Sequence, residues 1–300
     1  MKKIVFRLNY RPTVVGQGLW VKVSVNVGEA KFEQLLPMRW INETQWQTEW
    51  ETDWRTGPDF LLFSYRYVYR QTGNGVELEE WGSARVIGAF EDAVVAIDTW
   101  CSAGAVDHAY ETKALGTILK PRAMRSQSLR GNHNFQLRMA GVPEGCSVCL
   151  MGNADELGAW DASRALPMSE VTPNIWTVRV EMPAGRVVEY KYGLRHDADG
   201  SLVEMELGDN RTFQAAILAE NQTTRISDEV YRREVTRLFR GAGVAVPVFS
   251  LRSKEGLGVG EFADLKSLGD WAASTGLKMI QILPINDTTS SHTWTDSYPY

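Results

Sequence analysis

Three hundred residues, 44% of them apolar and 23% charged, make room for two or three globular domains with ordinary cores. Thirty-two basic against 37 acidic residues leave a formal net charge of -5 with no basic patch, which argues against nucleic acid or an anionic membrane as partner. Arg7 and Arg11 break the apolar stretch at the start and no run of 18 apolar residues follows, so the chain is expected in the cytoplasm. The three cysteines, Cys101, Cys146 and Cys149, are too few and too unevenly placed for a disulfide framework.

Seven of the eleven tryptophans fall before residue 110, an excess of planar side chains that points to stacking surfaces. The same stretch opens a repeat. Tyr65 to Arg85 lies over Tyr190 to Arg211 with one inserted residue, both reading Tyr-basic-Tyr, a glycine turn, then Glu-x-Gly-x-x-Arg. Upstream, Leu36-Pro37-Met38 matches Leu166-Pro167-Met168, and Trp46 and Trp176 each follow their methionine by eight residues. Two copies of one domain therefore account for the first 230 residues. Short alternating runs such as 135–139 and 176–180, bounded by Gly, Pro and Asn, predict a β-sandwich of about 95 residues for each copy. The copies are expected at 1–90 and 131–227, with a linker or strap over 91–130.

In the first copy, Trp46 is expected in the core, because its counterpart lies in an alternating strand. Trp50 and Trp54, beside the insertion 52–59, read equally as packing and as ligand contacts. Glu79 and Glu80 occupy adjacent strand positions and should face opposite ways. In the second copy, Cys146 and Cys149 spell CxxC, but positions three apart on a strand point to opposite faces and no second pair or histidine cluster accompanies them. Neither a cofactor nor a metal is expected.

The second copy also carries Gly152-Asn-Ala-Asp-Glu-Leu-Gly-Ala-Trp160, then Val188-Glu-Tyr-Lys191-Tyr, then Glu206-Leu-Gly-Asp-Asn210-Arg211. It resembles the family 20 carbohydrate-binding module, the starch-binding domain, with its LGxW, EYKF-like and WExxxNR elements. In that family the two tryptophans form a platform for stacked glucose rings, and the lysine and asparagine bond to sugar hydroxyls. The resemblance implies that Trp160, Lys191 and Asn210 touch ligand. Aromatic rings suit the C-H faces of a glucan, and amide or ammonium donors suit its hydroxyl rim. The second platform position is Met205 here, leaving half a platform unless the thioether packs in its place. In the first copy the LGxW loop is three residues shorter and lacks its tryptophan. Glu79 replaces the WExxxNR tryptophan, and Trp81, two positions on, is the remaining candidate on that strand face.

After the repeats, Val230, Tyr231, Val235, Leu238 and Phe239 suit an amphipathic linker helix over 228–243, ended by Gly241. Residues 244–300 read strand, glycine-bearing loop, helix with Phe262, Leu265, Leu268 and Ala272 at helical spacing, then strand. Gly256-Leu-Gly258-Val-Gly260 precedes Glu261 and matches neither GxxxxGK nor GxGxxG, so it is no phosphate cradle. The runs VPVFSLRS, GLGVGEFADLKSLGDWA, QILPINDT and WTDSYPY resemble the opening of the 4-alpha-glucanotransferases, the amylomaltase family of glycoside hydrolases. That resemblance implies a mainly β chain of two tandem starch-binding sandwiches followed by the truncated start of a (β/α)8 barrel. A barrel takes about 250 residues. The implied activity is transfer of α-1,4-glucan units among malto-oligosaccharides, starch and glycogen, by a retaining mechanism whose carboxylates lie beyond residue 300. Ser297 and Tyr300, in the DSYPY run, are implied to line the donor sugar. The alternative from another class is a non-catalytic starch- or glycogen-binding scaffold.

Overall fold

The computed structural model describes residues 2–10, 17–27, 30–52, 63–71, 77–88, 90, 92–105, 108, 130–183, 185–214, 221–234 and 241–285. Trp54, Ser297 and Tyr300, most of the expected strap and residues 235–240 of the expected linker helix lie outside them. The chain divides into two compact units, Met1–Val235 and Thr236–Tyr300.

In the first unit each copy contributes nine strands among the described residues. The first gives β1 (Lys2–Asn9), β2 (Gln17–Val27), β3 (Ala30–Pro37), β4 (Arg39–Asn42), β5 (Gln45–Thr52), β6 (Phe63–Gln71), β7 (Glu77–Glu79), β8 (Arg85–Ile87) and β9 (Ala93–Thr99). The second gives β10 (His133–Arg138), β11 (Cys146–Gly152), β12 (Leu166–Pro167), β13 (Ser169–Thr172), β14 (Ile175–Val180), β15 (Val187–His196), β16 (Leu202–Met205), β17 (Arg211–Gln214) and β18 (Gln222–Asp228). Period-2 patterning sets most of them. In β1, for example, Ile4, Phe6 and Leu8 are fully buried while Lys3 and Arg7 alternate with them.

The copies are not separate beads. One eight-stranded sheet runs β13-β14-β10-β18-β9-β1-β5-β4 through both, while β12-β11-β15-β16 and β3-β2-β6-β7 form smaller sheets, joined by β17 on β15 and β8 on β6. Each copy closes by pairing its first and last strands in parallel, β1 with β9 and β10 with β18, and β9 and β18 then pair in parallel with each other. Residues 93–99, read from sequence as the start of a strap, are thus a central strand. Their run Ala-Val-Val-Ala-Ile shows no alternation because both faces are covered. Val94 and Ala96 enter the first core, whereas Val95 and Ile97 enter the second. Burying each of the larger side chains contributes about 1.5 to 3 kcal/mol.

Asp228, expected to open a helix, ends β18, and residues 229–234 have no regular structure. Burial explains the difference: Asp228, Glu229 and Tyr231 are each 2 to 3% exposed. The two acids belong to ion networks that repeat with the sequence. In the second copy Arg211 bonds Glu206 and Asp228, both at 2.7 Å, and Asp228 accepts the hydroxyls of Tyr190 at 2.8 Å and Tyr192 at 2.9 Å. In the first, Arg85 bonds Glu80 at 2.8 Å and Asp98 at 3.3 Å, and Asp98 accepts Tyr65 at 2.6 Å and Tyr67 at 2.7 Å. Glu80 is buried and Glu79 exposed, facing opposite ways as expected. The networks then cross the seam. Arg85 reaches Glu229 at 2.6 Å, and Arg225 of β18 donates to Tyr65 and Asp98.

These buried groups make stability depend on pH. Burial pushes His133 down to about 4. Burial alone would raise Glu229, but the Arg85 and Arg138 guanidiniums overcome it and hold the carboxyl near 2. As pH falls below about 6.5 the unfolded chain takes up the histidine proton first, so stability declines between pH 6.5 and 4, by at most about 3 kcal/mol from His133. Glu229 continues the loss from about pH 4.5 downward. Urea midpoints measured from pH 7 to 4 should fall accordingly, and His133→Gln should flatten the slope between pH 6.5 and 4.

In the second unit β19 (Gly243–Val246) and β20 (Met279–Ile282) pair in parallel with Val244 opposite Ile280, and α1 (Asp264–Ser274) connects them. The expected strand–loop–helix–strand order holds. At the loop's end a Cβ on Gly260 would lie 1.8 Å from the Val248 carbonyl, so only glycine fits there. Phe262, Trp271 and Met279 are exposed, and their apolar faces have no cover among the described residues.

Candidate glucan-binding site

The outer face of the second copy's small sheet gathers the residues singled out there. On β15 the side chains of Val188, Tyr190, Tyr192 and Leu194 face the core, so Glu189, Lys191 and Gly193 face outward. Gly193 pairs with Met205, and a Cβ at Gly193 would lie 3.0 Å from the Met205 sulfur. Glycine therefore leaves room for the thioether to lie across the sheet. Trp160, Met205 and Leu202 pack together on Cys149, Met151 and Ala165. Met205 thus takes the second platform position beside the tryptophan.

Trp160 is held from below. The turn Asp155–Leu157 ends at Gly158 with φ +84°, and Ala159 and Trp160 follow with φ 49° and 62°. Two successive non-glycine residues in left-handed conformation are costly, and such strain collects at functional sites. Here the Trp160 amide donates to the Gly152 carbonyl at 2.8 Å, and Leu157 is fully buried beneath the turn.

Lys191 Nζ donates to the Gly208 carbonyl at 2.6 Å, drawing the 206–210 loop toward the same face. Asn210 donates to Glu189 at 2.9 Å. Glu189 was not singled out by sequence reasoning; its place two residues before Lys191 on one strand is the signal that could have found it. Cys146 and Cys149 lie on opposite faces of β11 as free thiols, and burial pushes Cys149 up to about 11, leaving it an inert packing group.

The matching face of the first copy is built differently. Strand registers place Lys22 where Met151 stands and Glu79 where Met205 stands, and Lys22 bonds Glu79 at 3.1 Å and Glu33 at 3.9 Å. Charges thus stand at both of these positions, with Trp20 at the place of Cys149. Trp81 does not restore the platform: β7 ends at Glu79, Trp81 sits in a bend, and its ring lies flat on His108 at 3.8 Å and 9°. One face of that indole is already covered. Of the other tryptophans, Trp46 and Trp176 are buried in the two cores as expected, Trp40 is 58% exposed, and Trp50 packs edge-on against Phe63.

Comparisons with known proteins fall on the same segments. Residues 134–226 match the starch binding domain of carbohydrate-binding family 20, and residues 246–300 match the 4-alpha-glucanotransferase family, glycoside hydrolase family 77. The middle of the chain is thus similar to family 20 starch-binding domains and its last segment to family 77 proteins. It is 32% identical over 233 residues to 4-alpha-glucanotransferase DPE2 of Oryza sativa subsp. japonica, a match covering 77% of this chain and 23% of that one. Over 48 residues it is 56% identical to a 4-alpha-glucanotransferase of Chlamydia trachomatis, covering 16% of this chain and 9% of the other. The chain thus spans less than a quarter of the length of either relative. The solved family 20 module of a maltotetraose-forming amylase from Pseudomonas saccharophila aligns at 28% identity, covering 31% of this chain and 97% of that one, with a TM-score of 0.28.

Proposed function

We propose that the first unit binds α-1,4-glucan and that the second opens the catalytic barrel of a 4-alpha-glucanotransferase. One observation carries the binding role: Trp160, held by a strained turn against the Met205 thioether, shares a sheet face with Lys191 and Asn210. An aromatic ring flanked by an ammonium and an amide offers stacking and hydroxyl recognition together. The transfer cuts an α-1,4 bond in one glucan and passes the glycosyl unit to the 4-hydroxyl of another sugar. Family likeness supports a retaining double displacement with an aspartate nucleophile, a glutamate acid/base and a second aspartate as stabiliser, the working carboxyls about 5 Å apart. On this reading residues 1–300, which span less than a quarter of the matched relatives, should transfer nothing alone.

Glucose release from maltose plus glycogen by the full-length gene product tests this reading; binding without release would leave a non-catalytic scaffold. In the same protein Tyr300, assigned to the donor sugar, can stack and donate one hydrogen bond as charge develops on the ring oxygen. Tyr300→Phe is expected to lower kcat more than it raises KM, and an unchanged kcat would reduce Tyr300 to packing.

A further inference from the structure

Glu189 stands between the two loops that carry the Trp160 site. Its backbone holds the first of them. The Glu189 carbonyl accepts the Asn153 amide at 3.0 Å, and its own amide donates to Asn153 Oδ1 at 3.0 Å. Gly152 lies flush against the same carbonyl, where an added Cβ would collide with it, and the Gly152 carbonyl in turn accepts the Trp160 amide at 2.8 Å. The side chain holds the second loop. Glu189 Oε2 accepts Asn210 Nδ2 at 2.9 Å, one residue before β17 begins with Arg211 opposite Tyr190. A single residue of β15 therefore ties the Trp160 turn by its main chain and Asn210 by its carboxylate.

We propose that Glu189 is a positioning residue of the glucan site, setting the orientation in which the Asn210 amide meets the sugar, an inference that rests on the glucan reading above. A carboxylate only accepts hydrogen bonds, so the amide turns its NH2 group, not its oxygen, toward Glu189. One N–H is thereby committed. The other N–H and the carbonyl oxygen are left for the sugar, a donor and an acceptor that suit its hydroxyls. Asn210 is exposed, so without the carboxylate its amide can turn either end to the ligand. Ordering it on binding then costs side-chain entropy that the bond to Glu189 has already removed. Lys191 needs no such guide, because its Nζ is held by the carbonyls of Gly208 at 2.6 Å and Glu206 at 3.5 Å.

Isothermal titration of the 300-residue chain with β-cyclodextrin reads this as a double-mutant cycle. Glu189 is on the outer face, so replacing it leaves the core closed. Asn210→Ala and Glu189→Ala are each expected to weaken binding about three- to tenfold, the share of one hydrogen bond, and the double variant should bind no more weakly than Asn210→Ala alone. Glu189→Gln, which keeps an acceptor, should recover most of the loss, whereas Glu189→Met, which keeps only the length of the side chain, should not. If Glu189→Ala costs as much in the Asn210→Ala background as in the wild type, or if the Met variant binds as tightly as the Gln variant, Glu189 does not act through Asn210 and the Trp160 platform stands without it. Wild-type affinity in either single alanine variant would overturn the proposal in the same way. A wild-type chain that does not bind β-cyclodextrin would overturn the glucan reading itself.

Discussion

Replacing Asp98 with alanine lowers the unfolding free energy by about 3 to 5 kcal/mol, the range found when one partner of a buried ion pair is removed. The carboxylate is fully buried and accepts hydrogen bonds from Tyr65, Tyr67, Arg85 and Arg225. Without it, two buried hydroxyls lose their acceptor and two guanidiniums lose a counter-charge. Asp228→Ala should cost a similar amount, because Tyr190, Tyr192 and Arg211 depend on it in the same way. Removing the exposed Glu49, which pairs with Lys3 at 2.6 Å, should change stability by less than about 1 kcal/mol. Both aspartate variants should shift a single urea transition, since β9 and β18 join the copies in one sheet. Two separated transitions, with only the mutated copy weakened, would show that the shared sheet does not couple them.

Trp160→Ala weakens β-cyclodextrin binding by about 1 to 3 kcal/mol, or roughly 5- to 150-fold, taking base stacking on aromatic side chains as the nearest measured analogue. Among the described residues the ring is the one aromatic side chain in the cluster with Met205, so none of them replaces its face. Trp81→Ala should change affinity less than twofold, because His108 already covers one side of that indole. Tryptophan fluorescence titrations of the wild type and both variants decide between the modules. Retained binding in Trp160→Ala together with loss in Trp81→Ala would transfer the site to the first copy.

Much of this architecture is legible in the sequence because it repeats. The Tyr-basic-Tyr run, the shared Leu-Pro-Met and the matched tryptophans locate equivalent strands, and each returns in the structure at an equivalent place. Trp160, Lys191 and Asn210 are legible through their motif, and period 2 puts Lys191 on an outward face. What the sequence hides is where the copies meet. Strand β9 shows no alternation because both of its faces are buried, so it passes for linker. Over 228–234 the linker-helix pattern gives way to Asp228 and Glu229, whose carboxylates find guanidinium partners up to 144 residues away. Such distant pairing leaves no local signature. Trp81 looks like a platform ring until His108, 27 positions on, is seen lying against it.

The two-faced burial of β9 sets the unit of exchange in this protein. Val95 and Ile97 are encoded in the first repeat but fill the core of the second, while Arg225, encoded in the second, bonds Tyr65 and Asp98 of the first. A boundary drawn through residues 100–130 separates two sequence repeats without separating two folding units. Grafting either repeat onto another protein would leave a central strand without its neighbour and a buried cation or carboxylate without its partner. The portable cassette is the pair, residues 1 to 235, and an engineer moving starch affinity between enzymes would need to carry the charged, platform-free copy along with the one that holds Trp160.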